Sequence, residues 1–92
     1  MSTFDGIADI IVDICDVDRG LILPETNLID ELEVDSLDFL DVTYDIFKKY
    51  DVRLPVEDWM IEINEGTAKL EDFFVMSKLV GHVEALVAAQ AE

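Results

Sequence analysis

The sequence predicts an all-α fold: a small bundle of four or five helices with one long loop between the first two. Three observations lead there. Apolar residues recur at spacings of three and four through most of the chain, helix-start residues stand just ahead of those runs, and the period fails between Val17 and Val34, where Arg19-Gly20 and Pro24 interrupt it. Ninety-two residues fit one domain, 1–92, with a core large enough to fold without disulfides or metals.

The first helix is expected from Thr3 to Cys15. Phe4, Ile7, Ala8, Ile10, Ile11, Ile14 and Cys15 form its apolar stripe, Asp5, Asp9, Asp13 and Asp16 its wet side, and Ser2 with Asp5 a capping pair. The connection that follows is longer than compact helical domains ordinarily use. Leu21, Leu23, Leu28, Ile29 and Leu32 within it predict a loop pinned onto the bundle.

A second helix is expected from Asp35 or Ser36 to Tyr50. Acids at its start and Lys48 and Lys49 at its end complement the helix dipole. It carries two apolar ridges, Phe39, Val42, Ile46 and Tyr50 on one and Leu37, Leu40, Tyr44 and Phe47 on the other; one can face the core and the other a partner. Pro55 is placed to begin a short third helix, Val56 to Ile63, which Asn64-Glu65-Gly66 stops. Thr67 is expected to cap a last helical region from Ala68 to Ala89, roughly 30 Å if continuous. That region is apolar nearly all round, so either it bends near Phe73-Phe74 or it offers an apolar face to a ligand or partner.

Composition narrows the function. At 51% hydrophobic the chain is no disordered acidic tail, and 22 acids against 6 bases give a formal charge of −16. That field repels phosphate backbones and anionic membrane surfaces and favours basic protein partners, so neither nucleic acid nor stable membrane insertion is expected. A single cysteine, Cys15, allows no internal disulfide and no cysteine metal site, and Asp16-Val17-Asp18-Arg19-Gly20 lacks the third ligand, the glycine and the glutamate of a calcium loop. No basic-then-apolar leader and no apolar run of about 18 residues appears, so a soluble, cytoplasmic protein is expected.

The residue that stands out is Ser36, at the start of the second helix, reached through Asn27-Leu28-Ile29-Asp30-Glu31-Leu32-Glu33-Val34. The only histidine, His82, is far along the chain, so no base for a serine nucleophile is in view, and Ser36 reads as a residue modified by another enzyme. An Asp-Ser pair at a helix start is, on its own, ordinary capping chemistry. The layout around it adds more. Leu32-Glu33-Val34-Asp35-Ser36-Leu37-Asp38, with the long loop before it and Leu54-Pro55 after it, resembles an acyl carrier protein over nearly the full chain. Ser36-Leu37-Asp38-Phe39-Leu40-Asp41, Leu54-Pro55-Val56-Glu57-Asp58-Trp59, Ile63-Asn64-Glu65-Gly66 and the long tail through Phe73-Phe74 look like the specialised carriers that alpha-proteobacteria use for very-long-chain hydroxy fatty acids of lipid A.

The resemblance implies an acyl-carrier-type bundle that is no enzyme. Ser36 would hold 4′-phosphopantetheine delivered by a phosphopantetheinyl transferase, with Asp35 helping to position the transferase's magnesium; the carrier itself would hold no metal. Fatty-acid elongation enzymes and a lipid A acyltransferase would be its partners, and it would act as a monomer. Asp38, Asp41 and Asp45, with Leu37, Leu40 and Tyr44, are the expected contact surface. Phe39, Ile46, Leu54, Trp59, Phe73, Phe74 and Val80 are the expected lining for part of the acyl chain. Cys15 and His82 are assigned to structure or solvent. Two departures stand out: Glu33 occupies a position where relatives usually have glycine, and Phe47 and Lys48 stand where they often keep acids. A peptidyl or polyketide carrier shares the attachment serine, and an unmodified acidic adaptor remains the alternative of another class.

Overall fold

The computed structural model describes residues 2–90, and for Ser36 the backbone alone. Five α-helices in the order α1 (Thr3–Cys15), α2 (Ser36–Tyr50), α3 (Val56–Glu65), α4 (Glu71–Phe74) and α5 (Met76–Gln90), with a 3-10 turn at Arg19–Leu21, account for the regular structure of the described residues. There is no strand among them, only an isolated antiparallel bridge between Asn27 and Val75. This is the all-α bundle with a long first loop that the sequence predicts.

Local chemistry sets the ends of the first two helices. The Ser2 hydroxyl accepts the Asp5 amide at 3.1 Å and donates to the Asp5 carboxylate at 3.0 Å, closing the first turn of α1. Asp35 caps α2, its carboxylate accepting the Asp38 amide at 2.8 Å. Both helices end on an aspartate in the left-handed conformation, Asp16 at φ 56° and Asp51 at φ 58°. Ile7, Ile11, Val42, Ile46, Met76, Leu79 and Val83 are fully buried, so α1 packs against both α2 and α5 along the faces their periodicity marks.

Two expectations about the second half need correction. Thr67 caps no following helix: its hydroxyl donates back to the Glu62 carbonyl at 3.1 Å, its amide to the same carbonyl at 3.0 Å, and with Gly66 at φ 80° it closes α3, which runs on to Glu65. The region 68–89 is not one helix. It breaks at Val75, extended at φ −73° and ψ 132°, so the bend is realised as a full interruption between α4 and α5.

The cause of the break is the first loop. Leu28 donates its amide to the Phe74 carbonyl at 2.9 Å, and the Met76 and Ser77 amides reach the Thr26 and Pro24 carbonyls, each at 2.8 Å. Met76 and Ser77 thereby cap the start of α5 with loop carbonyls drawn from elsewhere in the chain, an arrangement that a continuous helix would forbid. The loop's own buried polar groups are satisfied: Asn27 Oδ1 accepts the Ile29 and Asp30 amides, each at 3.0 Å, and Thr26 Oγ1 donates to the Leu21 carbonyl at 3.1 Å. Leu28 is completely buried beneath them. Truncation of so deep a loop residue, Leu28→Ala, should cost about 2–5 kcal/mol in urea unfolding, against the near-zero cost of trimming a loose loop.

Candidate functional site

The start of α2 is held from three sides. Asp35 turns back onto the Asp38 amide, the Asp35 carbonyl takes the Phe39 amide at 2.9 Å, and the Val34 amide is tied to the Leu28 carbonyl at 3.1 Å. Ser36 is therefore the first helical residue, at the positive end of the dipole, where the leading amides have no carbonyl within their own helix. Its side chain lies outside the described atoms, and so does the placement of its hydroxyl.

Three residues before it, Glu33 sits at φ 55°, in the left-handed region. A glycine at this position would adopt that conformation freely, whereas a residue with a Cβ adopts it at a cost of roughly 1–2 kcal/mol. The turn keeps its shape even so, because the Val34 and Leu28 contacts on its far side are buried.

Beside this turn opens a cavity of about 610 Å3, walled by Ile29, Val34, Asp35, Phe39, Leu40, Val56, Glu57, Met60, Ile61, Leu70 and Phe74. Its walls come from the loop, α2, α3 and the two ends of α4, and one of them, Asp35, directly precedes Ser36. The slot is apolar and within the size range of ordinary small-molecule sites.

Of the residues expected to line such a slot, Phe39 and Phe74 do, their rings edge to face at 4.9 Å. The other five lie outside this cavity. Ile46 and Val80 are buried in the helix–helix core; Trp59 and Phe73 stack on each other at 4.8 Å and 7°, with His82 5.0 Å from the Trp59 ring; Leu54 borders a separate depression with Arg53 and Thr43. Helical spacing marks these residues as apolar and inward but does not separate a filled core from a cavity wall. Met60 and Ile61 join the wall without being marked by core periodicity; two adjacent apolar residues on a ten-residue helix whose buried side is taken by Trp59 are the signal of a second apolar face.

The expected contact residues divide between two sides of α2. Leu37, Leu40 and Tyr44 are 73%, 52% and 62% exposed, an apolar ridge leaning toward the α3 side, where Leu40 enters the cavity wall. Asp45 leans the other way, bordering a depression with Asp9, Asp13 and Arg19 of the α1 side. Arg19 is itself engaged, 2.8 Å from Asp5, and the Ser2 hydrogen bond and then Arg19 hold the Asp5 carboxyl below the usual carboxylate range. Asp38 and Asp41 lie close enough to Cys15 that, after burial, their charges and that of Asp35 push its thiol up.

The comparisons with known proteins fit this geometry. The family model described as the phosphopantetheine attachment site matches residues 5–73. The chain belongs to the acyl carrier proteins: carriers rather than catalysts, with a covalently attached 4′-phosphopantetheine, which interact with phosphopantetheinyl transferases and fatty-acid enzymes. Within the family it is similar to a specialised member. It is 45% identical over 97% of its length, and 96% of the relative's, to acyl carrier protein AcpXL of Brucella melitensis, and 43% identical over 98% of both chains to AcpXL of Rhizobium etli. To an acyl carrier protein of Syntrophobacter fumaroxidans it is 40% identical over 56% of its length. Among the described residues no helix is long and apolar enough to cross a membrane.

Two outcomes check the site's local physics. Glu33→Gly should leave thermal stability unchanged or raise it, whereas Glu33→Val should lower it by about 1–2 kcal/mol; the reverse order would contradict the left-handed turn. For Cys15 the folded pKa lies above the ordinary 9.0, so its contribution to stability is complete below that value and is lost as pH rises through the folded pKa. Iodoacetamide should accordingly modify Cys15 more slowly in the native chain than in the urea-unfolded chain just below that pH.

Proposed function

We propose that this chain, acting as one carrier domain and as a monomer in the cytoplasm, holds very-long-chain hydroxy fatty-acyl groups on a 4′-phosphopantetheine arm at Ser36. It receives them from fatty-acid elongation enzymes and presents them to an acyltransferase of lipid A assembly. The observation that carries this reading is the opening of an apolar cavity of about 610 Å3 directly beside the start of α2, with Asp35 in its wall. Its extensive similarity to the AcpXL carriers and the specialised second half of the sequence support the same cargo.

Each residue has a physical part in this reading. The leading amides of α2 offset the charge of a phosphodiester on Ser36, in a neighbourhood otherwise crowded with acids. Asp35 spends one carboxylate oxygen on the Asp38 amide, which fixes its rotamer and leaves the other oxygen for a magnesium ion held by the transferase. The attached arm supplies a terminal thiol that bears the acyl group as a thioester. Asp38, Asp41 and Asp45 meet basic partner surfaces, while Leu37, Leu40 and Tyr44 add apolar contact.

The cavity shelters a part of the chain and no more. At about 0.8 kcal/mol per buried methylene, five methylenes contribute about 4 kcal/mol, enough to protect the thioester end while leaving release to a partner feasible. The far part of a very long chain lies outside so small a domain.

The attachment is tested by intact mass after incubation with coenzyme A, magnesium and a phosphopantetheinyl transferase. The wild-type chain should gain the arm and Ser36→Ala should gain nothing; a wild type left unmodified by several competent transferases would favour the acidic adaptor instead. Acylation of the holo-protein should then move the side-chain resonances of Phe39, Leu40, Met60, Ile61 and Phe74 and leave those of Ile46 and Val80 in place. Identical spectra before and after acylation would sink the sheltering role.

A further inference from the structure

We infer that the C-terminal end of α2 is a second docking point, cationic and aromatic, for a partner surface that sets a carboxylate among apolar side chains. The inference rests on the carrier reading above and names the kind of partner that the same helix selects. Of the 6 basic residues in the chain, Lys48, Lys49 and Arg53 fall at this one end. Lys48 and Lys49 answer the helix dipole. Arg53 does not: it lies past the cap residue Asp51, outside the helix.

Arg53 holds its guanidinium 5.4 Å from the centre of the Phe47 ring, and Lys48 its ammonium 5.4 Å from that of Tyr44. Neither has a carboxylate within 4.0 Å among the described residues, in a chain with 22 acids; the ion pairs found there are those of Arg19. Glu57 and Asp58 border the next depression along with Arg53 yet do not pair with it. A hollow of about 310 Å3 beside Arg53 and both rings is lined by Leu40, Thr43, Tyr44, Phe47, Arg53 and Leu54. A carboxylate entering it meets the guanidinium fork, and apolar neighbours of that carboxylate meet Leu40, Tyr44 and Phe47.

The result is a helix of two signs. Asp41 and Phe47 are six residues apart, about 9 Å along the axis, and Asp45 between them leans to the α1 side, so the acids and the ring-bound cations occupy separate parts of the helix surface. An enzyme whose docking surface is uniformly basic is repelled at Arg53 and Lys48. One with a basic patch and, a turn and a half further on, a carboxylate in an apolar setting is accepted, and the repulsion sets the choice between them.

The test uses the full-length holo-protein with Arg53→Glu and Lys48→Glu, singly and together, and Arg53→Lys as the charge-conserving control. Attachment of the arm by the transferase, which works at Ser36, should stay within about twofold of wild type. Acyl transfer by the purified condensing enzyme and lipid A acyltransferase of the same cells should lose about tenfold or more in kcat/KM, carried by KM, with Arg53→Lys, which keeps the charge but not the fork, falling between wild type and Arg53→Glu. Wild-type kcat/KM for the glutamate variants with both enzymes would overturn the proposal. Equal losses in attachment and transfer would overturn it too, because they report a general change in field. A wild-type chain that accepts no arm would instead overturn the carrier reading, a separate result from either.

Discussion

The antiparallel contact between Pro24–Leu28 and Phe74–Ser77 is the constraint on which the rest of the molecule depends. Its three hydrogen bonds, at 2.8 to 2.9 Å, lie over the fully buried Leu28 and Met76, where each amide or carbonyl left unpaired would cost about 1–3 kcal/mol. They interrupt the last helical region at Val75, turn Phe74 toward α2, and fix the loop that delivers the chain to Ser36. The cavity wall, the helix start and the break between α4 and α5 are consequences of one contact.

Legibility from sequence followed the range of the interactions. The ends of α1 and α2 were legible because their signals are local: Ser2 closes on Asp5 and Asp35 on Asp38, three residues apart in each case. The strain at Glu33 was legible from the glycine that the resemblance leads one to expect there, and the residue does stand at φ 55°. The interruption at Val75 was visible only as an excess of apolar residues over what one helix can bury, since the loop carbonyls that cause it come from about fifty residues upstream. Thr67 misled for a related reason. A hydroxyl that can cap the helix after it can equally bind the carbonyl of the helix before it, and Gly66 decides for the latter.

The cavity was the least legible part. Phe39 and Phe74 wall it, whereas Ile46 and Val80, apolar at the same helical spacings, fill the core. What separates them is the position of α3, which stands against α2 with Trp59 as its buried residue and leaves Met60 and Ile61 facing the gap. On α2 the same partition recurs at the surface: acids toward α1, an exposed apolar ridge toward α3, and cations paired with aromatic rings at the far end. A carrier has no reaction of its own to perform, so its chemistry is that of presentation, and in the proposed reading the three zones of this helix are the means.

Whether Ser36 bears an arm loaded with a very long acyl chain, as proposed, is tested most directly by mass spectrometry of the protein purified from its own cells, with peptide mapping of residues 30–50. A phosphopantetheine on Ser36 is expected, with a population extended by very-long-chain hydroxyacyl thioesters. An unmodified Ser36, or an arm loaded with aminoacyl or only short acyl groups, would contradict it.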